Sequence, residues 1–371
     1  MSADPPGHGQ GRVSTIELFF DLVFVFTVTQ LTRLIDHANG PDDFVRALVV
    51  LVLIWWMYAG YAWLTNDMSA AAGVPGSMRL VLIAGAAGFL VISQAIPGSF
   101  GEDTLAFGLA YLFVVVLHLA AFSLQAGANL WRAIVGLAPF NLGAALLVVL
   151  AAFLPLQWRL AAFAAAAALF VLATLLRRER GFAVHPGHFV ERHGLVIMIV
   201  LGESVVAIGA GAGGRRLGLE TAAQIALALF LTAALWWTYF DRDDVRAEQA
   251  MAAAGPVARG RMAILGYWYA HLVMICGVVL AAAGVRRALA TAGAGYGAAW
   301  FLAAGIATYL AGDVLFRRVL GLRPYASRAL AAPIALLFGF LGSALGALAE
   351  LAALTVFLAV LLAAERAGSV A

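Results

Sequence analysis

The stretch ELFFDLVFVF, Glu17 to Phe26, sets two carboxylates four residues apart in otherwise apolar sequence. At that spacing Glu17 and Asp21 share one face of a helix. Neighbouring acids repel when both are charged, so the pair holds a proton or shares an arginine or another cation. The plainer alternative is a first-turn acid pair favoured by the helix N-terminus, with Glu17 partly solvated. A third carboxylate, Glu203, sits in GLVIMIVLGESVVAIG with Ser204 directly after it, ten residues past His193. That is about 15 Å along a helix, close to the middle of a bilayer. An acid at such a depth costs about 2.5–3.5 kcal/mol on insertion scales and is a functional candidate by default. Gly202 and Gly209 flank Glu203 and are expected to admit a neighbouring helix closely.

Other ionisable groups join this list. In HFVERHG, His188 to Gly194, Glu191 and Arg192 are placed to meet carboxylates of the first helix. His185-Pro186-Gly187-His188 reads as a turn on the cytoplasmic side rather than a metal site. His118 and His271 are single imidazoles in the middle of apolar helices, suited to a proton relay or to hydrogen bonding across helices. Asp313 and Arg317 are spaced for an i, i+4 ion pair. Asn66, Asp67 and Asn141 are polar groups that can tie helices together. The sequence contains no nucleophile elbow, P-loop, dinucleotide fingerprint or HExxH motif, and no catalytic residues or cofactor are assigned.

The elements that position these groups follow from composition. The 371 residues are 64% hydrophobic and 12% charged, about half the charged fraction of soluble domains, roughly 25%. With a mean hydropathy of +0.95, this is a polytopic, all-α membrane protein whose partner is the lipid bilayer. All 23 basic residues are arginine, and the net charge of +3 does not suggest nucleic acid. The single cysteine, Cys276, excludes an intrachain disulfide and any site built from several cysteines. Residues 1–15 read as a disordered tail, with the first span acting as an uncleaved signal-anchor.

Spans of about 20 apolar residues are expected at 16–35, 44–64, 79–97, 104–126, 134–154, 157–176, 193–212, 219–240, 261–283, 295–316, 326–343 and 346–364. Only a few Gly and Ala residues separate the last two. With this count and the N-terminus inside, 16 arginines fall on the cytoplasmic side and 7 on the other. The positive-inside rule therefore puts both termini in the cytoplasm.

The motif WWMYAGYAWLTND, from Trp55, recurs in part as WWTYFDRDD, from Trp236. Trp55, Trp56 and Tyr58 each lie 181 residues before Trp236, Trp237 and Tyr239, and Asp21 lies 182 before Glu203. Two parallel six-helix repeats are expected, 16–176 and 193–371, joined by a cytoplasmic linker at 177–192. Paired tryptophans of an interfacial belt are the plainer explanation.

ELFFDLVFVFTVTQL, WWMYAGYAWLTND, ERHGLVIMIVLGESVVAIG and WWTYFD together resemble the bacterial low temperature requirement A (LtrA) family, over residues 14 to 365. The resemblance implies a multi-pass protein of the bacterial plasma membrane, from a family named for growth in the cold. It supplies no accepted substrate and no catalytic residues. The positions that match its motifs are Glu17, Phe19, Phe20, Asp21, Glu191, Arg192, Gly202, Glu203 and Ser204.

The expected function is a proton- or cation-linked secondary transporter or ion-conducting protein. Glu203 and Asp21 would bind the ion, with Glu17, Glu191 and Arg192 tuning them, and with Ser204, His271 and His118 as further polar groups. Two alternatives stay open. One is an intramembrane enzyme acting on a lipid or small apolar substrate through Glu203, Ser204 and His271. The other is a sensor or scaffold linked to low-temperature growth, whose acids merely pair with arginines.

Overall fold

The computed structural model describes residues 13–38, 40–68, 75–125, 128–176, 184–290 and 297–368. The tail expected over 1–15 lies outside the described residues as far as residue 12, and the linker of 177–192 does so over 177–183. Among the described residues all regular structure is helical. The elements are α1 Thr15–Asp36, α2 Pro41–Met68, α3 Gly76–Ala95, α4 Thr104–Gln125, α5 Ala128–Ala151, α6 Leu156–Leu176, α7 Pro186–Ala212, α8 Leu219–Phe240 and α9 Asp243–Ala253. They continue with α10 Pro256–Met262, a π-helical segment Ala263–Ala270, α11 His271–Ala290, α12 Gly297–Leu320, α13 Ala326–Leu345 and α14 Ala347–Gly368.

Ten helical stretches among the described residues are long and apolar enough to cross a membrane. The expected spans 134–154 and 295–316 fall on α5 and α12, and the described apolar part of α5 is Val135–Ala151. Side chains such as Phe153, Leu337 and Phe340 are more than half exposed, as expected of an apolar surface that faces lipid. In such a solvent each backbone polar group must be satisfied internally, which is why the chain is helical.

One expectation is met in detail and two details depart from the sequence reading. The last two spans are distinct helices, because Gly346 adopts φ +89 and its N–H closes on the Gly342 carbonyl at 2.9 Å. Such a positive φ is the usual glycine stop signal. The expected turn at His185–His188 is instead a helix start: Pro186 opens α7, a position its fixed φ suits. And α9 is a short, more polar helix that the hydropathy pattern did not announce.

The chain divides into two compact units. Unit 1 holds the described residues of Met1–Phe24, Ile54–His193 and Ala254–Gly260; unit 2 holds Val25–Leu53, Gly194–Ala253 and Arg261–Ala371. Within unit 1, α3, α4, α5 and α6 pack in chain order, and an aromatic cluster of Phe20, Phe24, Tyr58, Tyr61 and Phe89 joins α1, α2 and α3. Within unit 2, α12 packs against α11 and α13.

Glycine sets the closeness of α11 and α12. A Cβ on Gly284 would meet the Leu302 backbone nitrogen at 2.5 Å, and one on Gly312 would meet Met274 N at 2.7 Å. Gly277 against Tyr309 and Gly305 against Ala281 are closer still. Small residues at a helix interface let backbones approach in this way. The glycines singled out in the sequence do not act so: a Cβ on Gly202 or Gly209 would meet nothing within 4 Å. On α7 the close approach falls instead at Gly211, whose Cβ would sit 2.7 Å from the Arg286 carbonyl.

Candidate functional site

Unit 1 encloses a cluster of charged groups supplied by three helices. Each helix presents groups spaced by whole turns, so that they lie on one face: Glu17 and Asp21 on α1, Tyr58 and Thr65 on α2, His188 and Arg192 on α7. Glu17 is 2% exposed, Asp21 0%, His188 1% and Arg192 1%.

One guanidinium bridges both acids. Arg192 Nη1 donates to Glu17 Oε1 at 2.6 Å and Nη2 to Asp21 Oδ1 at 3.0 Å. Nη1 also reaches Thr65 Oγ1, and the guanidinium lies 5.9 Å from the centre of the Phe20 ring. Tyr58 donates its O–H to Asp21 Oδ1 at 2.7 Å. Glu17 receives the backbone N–H and the hydroxyl of Ser14, both at 2.8 Å. His188 Nε2 sits 3.1 Å from Glu17 Oε1 and 3.3 Å from Oε2. A carboxylate only accepts, so Nε2 carries a proton and Nδ1 is the ring position left to gain or lose one.

With His188 neutral, two carboxylates face one guanidinium and the cluster carries one excess negative charge. One added proton brings it to neutrality. Three of its buried polar atoms, Asp21 Oδ2, His188 Nδ1 and Arg192 Nε, have no hydrogen-bond partner among the described residues. Buried polar atoms are nearly always paired, so three unmatched ones in a single cluster set it apart from ordinary helix packing.

Glu203 belongs to unit 2 and has a different setting. It is 2% exposed and accepts the Thr29 hydroxyl at 2.5 Å. No described cation lies within ion-pair distance of it. Ser204 beside it is also buried. Glu350 is a second carboxylate of unit 2 buried to 1% exposure without an ion pair among the described residues, and its Oε1 is unmatched.

The remaining candidates are placed as follows. Glu191 is exposed and accepts the backbone N–H of Val13 at 3.1 Å, apart from the buried cluster that its neighbour Arg192 enters. In unit 1, His118 lies against Gly60 and between Tyr61 and Phe122. In unit 2, His271 Nδ1 meets the Gly266 carbonyl at 2.9 Å and Nε2 meets the Tyr239 hydroxyl at 3.0 Å. The carbonyl fixes the proton on Nδ1, so Nε2 accepts from Tyr239. The partner carbonyl is five residues back, inside the π-helical segment, a feature often found at functional positions. Trp56 Nε1 donates to Asn141 at 3.2 Å, joining α2 to α5. The side chain of Asp67 lies outside the described residues. Asp313 and Arg317 are 3.9 Å apart, and each has a nearer partner: Arg328 at 2.8 Å for Asp313 and Asp243 at 2.5 Å for Arg317.

The two Trp-Trp motifs have unequal surroundings. Trp55 and Trp56 are 0% and 6% exposed, Trp236 and Trp237 37% and 40%. Their tyrosines agree better. Tyr58 and Tyr239 are both fully buried, and each hydrogen bonds an ionisable group, Asp21 or His271.

Sequence reasoning missed Tyr58 and Thr65 as partners and read His188 as part of a turn. Their whole-turn spacing within apolar helices was the available signal.

The comparisons with known proteins agree with the motifs. The chain is 24% identical over 301 residues to an uncharacterized protein of Rhizobium meliloti (strain 1021), covering 76% of this chain and 70% of the relative. No solved structure matches it. The model of the bacterial low temperature requirement A protein family matches residues 12–364, nearly the full length including the ELFFD and LGES segments, and the chain therefore belongs to the LtrA family of multi-pass membrane proteins.

Proposed function

We propose that the chain is a proton- or cation-linked secondary transporter or ion-conducting protein of the bacterial plasma membrane, with both termini cytoplasmic. The observation that carries this reading is the composition of the buried cluster, two carboxylates and one imidazole around one guanidinium. Glu17 and Asp21 share the single guanidinium of Arg192, and His188 Nδ1 beside them has no hydrogen-bond partner among the described residues. Glu203, buried on the same helix as Arg192 with no cation within ion-pair distance among the described residues, is a second proton or cation site. Intramembrane ionisable groups mark ion pathways and proton relays. Two parallel six-helix repeats are part of this reading, supported by the displaced motifs and by the matched burial of Tyr58 and Tyr239.

The pairing itself favours a second reading, in which Arg192 is a structural latch between α1 and α7. The intramembrane enzyme gains less support: both nitrogens of His271 are engaged by Gly266 and Tyr239, which leaves neither to activate Ser204. The deciding experiment is flux in proteoliposomes, followed with pH- and potential-sensitive dyes, for wild type, Asp21→Asn, His188→Gln and Glu203→Gln. Transport predicts protein-dependent flux that falls in each folded variant. The latch predicts variants that differ in unfolding temperature while any flux is unchanged, and that result sinks the transport reading.

A further inference from the structure

Unit 2 contains a polar pocket of about 200 Å³ where the end of α8, the start of α9, the end of α12, the start of α13 and the end of α14 meet. Six arginines line it: Arg242, Arg246, Arg317, Arg323, Arg328 and Arg366. The acids of the lining are Asp241, Asp243 and Glu365, and Asp313 lies beneath, bonded to Arg328.

The deep arginines are spent on the protein's own acids. Arg317 and Arg328 both reach Asp243, Asp313 and Glu365, at distances from 2.5 to 3.9 Å. Arg366 holds Asp241 at 2.7 Å. The rim differs. Arg242 is 58% exposed and only 3.8 Å from Asp241. Arg323 is exposed and forms no ion pair among the described residues; its carbonyl accepts from Arg246 at 2.6 Å. Six guanidiniums thus face four carboxylates around one concavity, with the surplus at the mouth. A charged cleft with low-dielectric walls concentrates counter-ions, and the guanidinium fork matches phosphate oxygens in pairs.

Depth narrows the source. Trp237 lines the pocket, is 40% exposed, donates to Asp241 at 2.9 Å and carries Arg366 over its ring at 4.7 Å. Trp beside Arg at the end of a membrane span is the signature of headgroup level. A pocket of about 200 Å³ has room for about six or seven waters, which suits a phosphate group rather than a whole nucleotide. We propose that this pocket binds a phosphate-bearing anion at the membrane surface, a lipid headgroup phosphodiester or a free phosphate.

The full chain in detergent is titrated with short-chain phosphatidylglycerol, short-chain phosphatidylcholine or inorganic phosphate at matched ionic strength. Binding is read as the rise in unfolding temperature. Arg242→Gln/Arg323→Gln removes two exposed rim charges and leaves the deep Arg317 and Arg328 pairs in place, and Arg261→Gln, an exposed arginine outside the pocket, is the control. The proposal expects apparent affinity to fall about tenfold per guanidinium removed and to hold in the control. A response to phosphatidylglycerol alone assigns a lipid headgroup, and one to inorganic phosphate assigns the free ion. No response to either, or equal losses in the control and the double variant, overturns the site.

Discussion

Replacing Arg192 with Met removes the one cation that Glu17 and Asp21 share. Each acid sits with its charge centre about 4 Å from the guanidinium, which at an effective dielectric of about 20 is an attraction of about 4 kcal/mol. The two acids are one helical turn apart, about 6 Å, and repel by about 3 kcal/mol on the same scale. Deleting Arg192 forfeits both attractions and leaves the repulsion in place, a loss of about 8 kcal/mol before the desolvation cost that the deleted charge no longer bears, and the net cost of breaking a buried pair by deleting one partner is about 3–5 kcal/mol. Arg192→Met is expected to lose that amount, two to three and a half orders of magnitude in the folded ratio by the tenfold-per-1.4 kcal/mol rule, about. The assay is unfolding in mixed micelles titrated with SDS. The companion variant is Arg192→Met/Glu17→Gln/Asp21→Asn, which removes all three charges together. It should recover at least half the loss, because a neutral replacement of a buried ion pair is often harmless. The reasoning is refuted by a loss below about 1 kcal/mol in the single variant, or by a triple variant no more stable than the single.

Tyr58→Phe deletes a hydrogen bond to a buried carboxylate, and the same titration should register a loss of about 1.5–3 kcal/mol. Glu203→Gln should keep an unfolding temperature near wild type, since Thr29 can donate to an amide oxygen as it does to the carboxylate; a large drop would mean that Glu203 is a structural anchor. Gly277→Leu should abolish monodisperse protein in size-exclusion chromatography, because its side chain would meet the Tyr309 backbone. Gly202→Ala, with open space around its Cβ, should gain up to about 1 kcal/mol from helix propensity; a loss there would put an unrecognised contact on that face of α7.

How much of this was legible differs from group to group. The place of Glu17, Asp21 and Glu203 inside long apolar helices could be read directly, since hydropathy and a rise of about 1.5 Å per residue locate a side chain along a helix. The i, i+4 spacing of Glu17 with Asp21 declared a shared face, and Arg192 was named as a partner by its place at the start of the seventh helix. His188 was misread because a Pro-Gly pair resembles a turn, although proline equally opens a helix. The glycines of α7 were over-read. A glycine beside an acid invites a packing explanation, but only the azimuth of the helix decides whether its face meets a neighbour.

The sequence by itself determined the class, the approximate limits of most of the apolar helices, and the family, because a bilayer imposes length and apolarity on each span separately; of the twelve spans expected, ten stretches among the described residues are long and apolar enough. Tertiary structure alone decided which acid keeps a cation. Glu17 and Asp21 meet Arg192, while Glu203, on the same helix as that arginine, accepts the Thr29 hydroxyl and has no cation within ion-pair distance among the described residues. It also gathered Asp243, Asp313, Arg317, Arg328 and Glu365 from four helices into one pocket wall. Such pairings depend on helix rotation and neighbour choice, and in a chain this uniformly apolar the hydrophobic pattern leaves both unspecified.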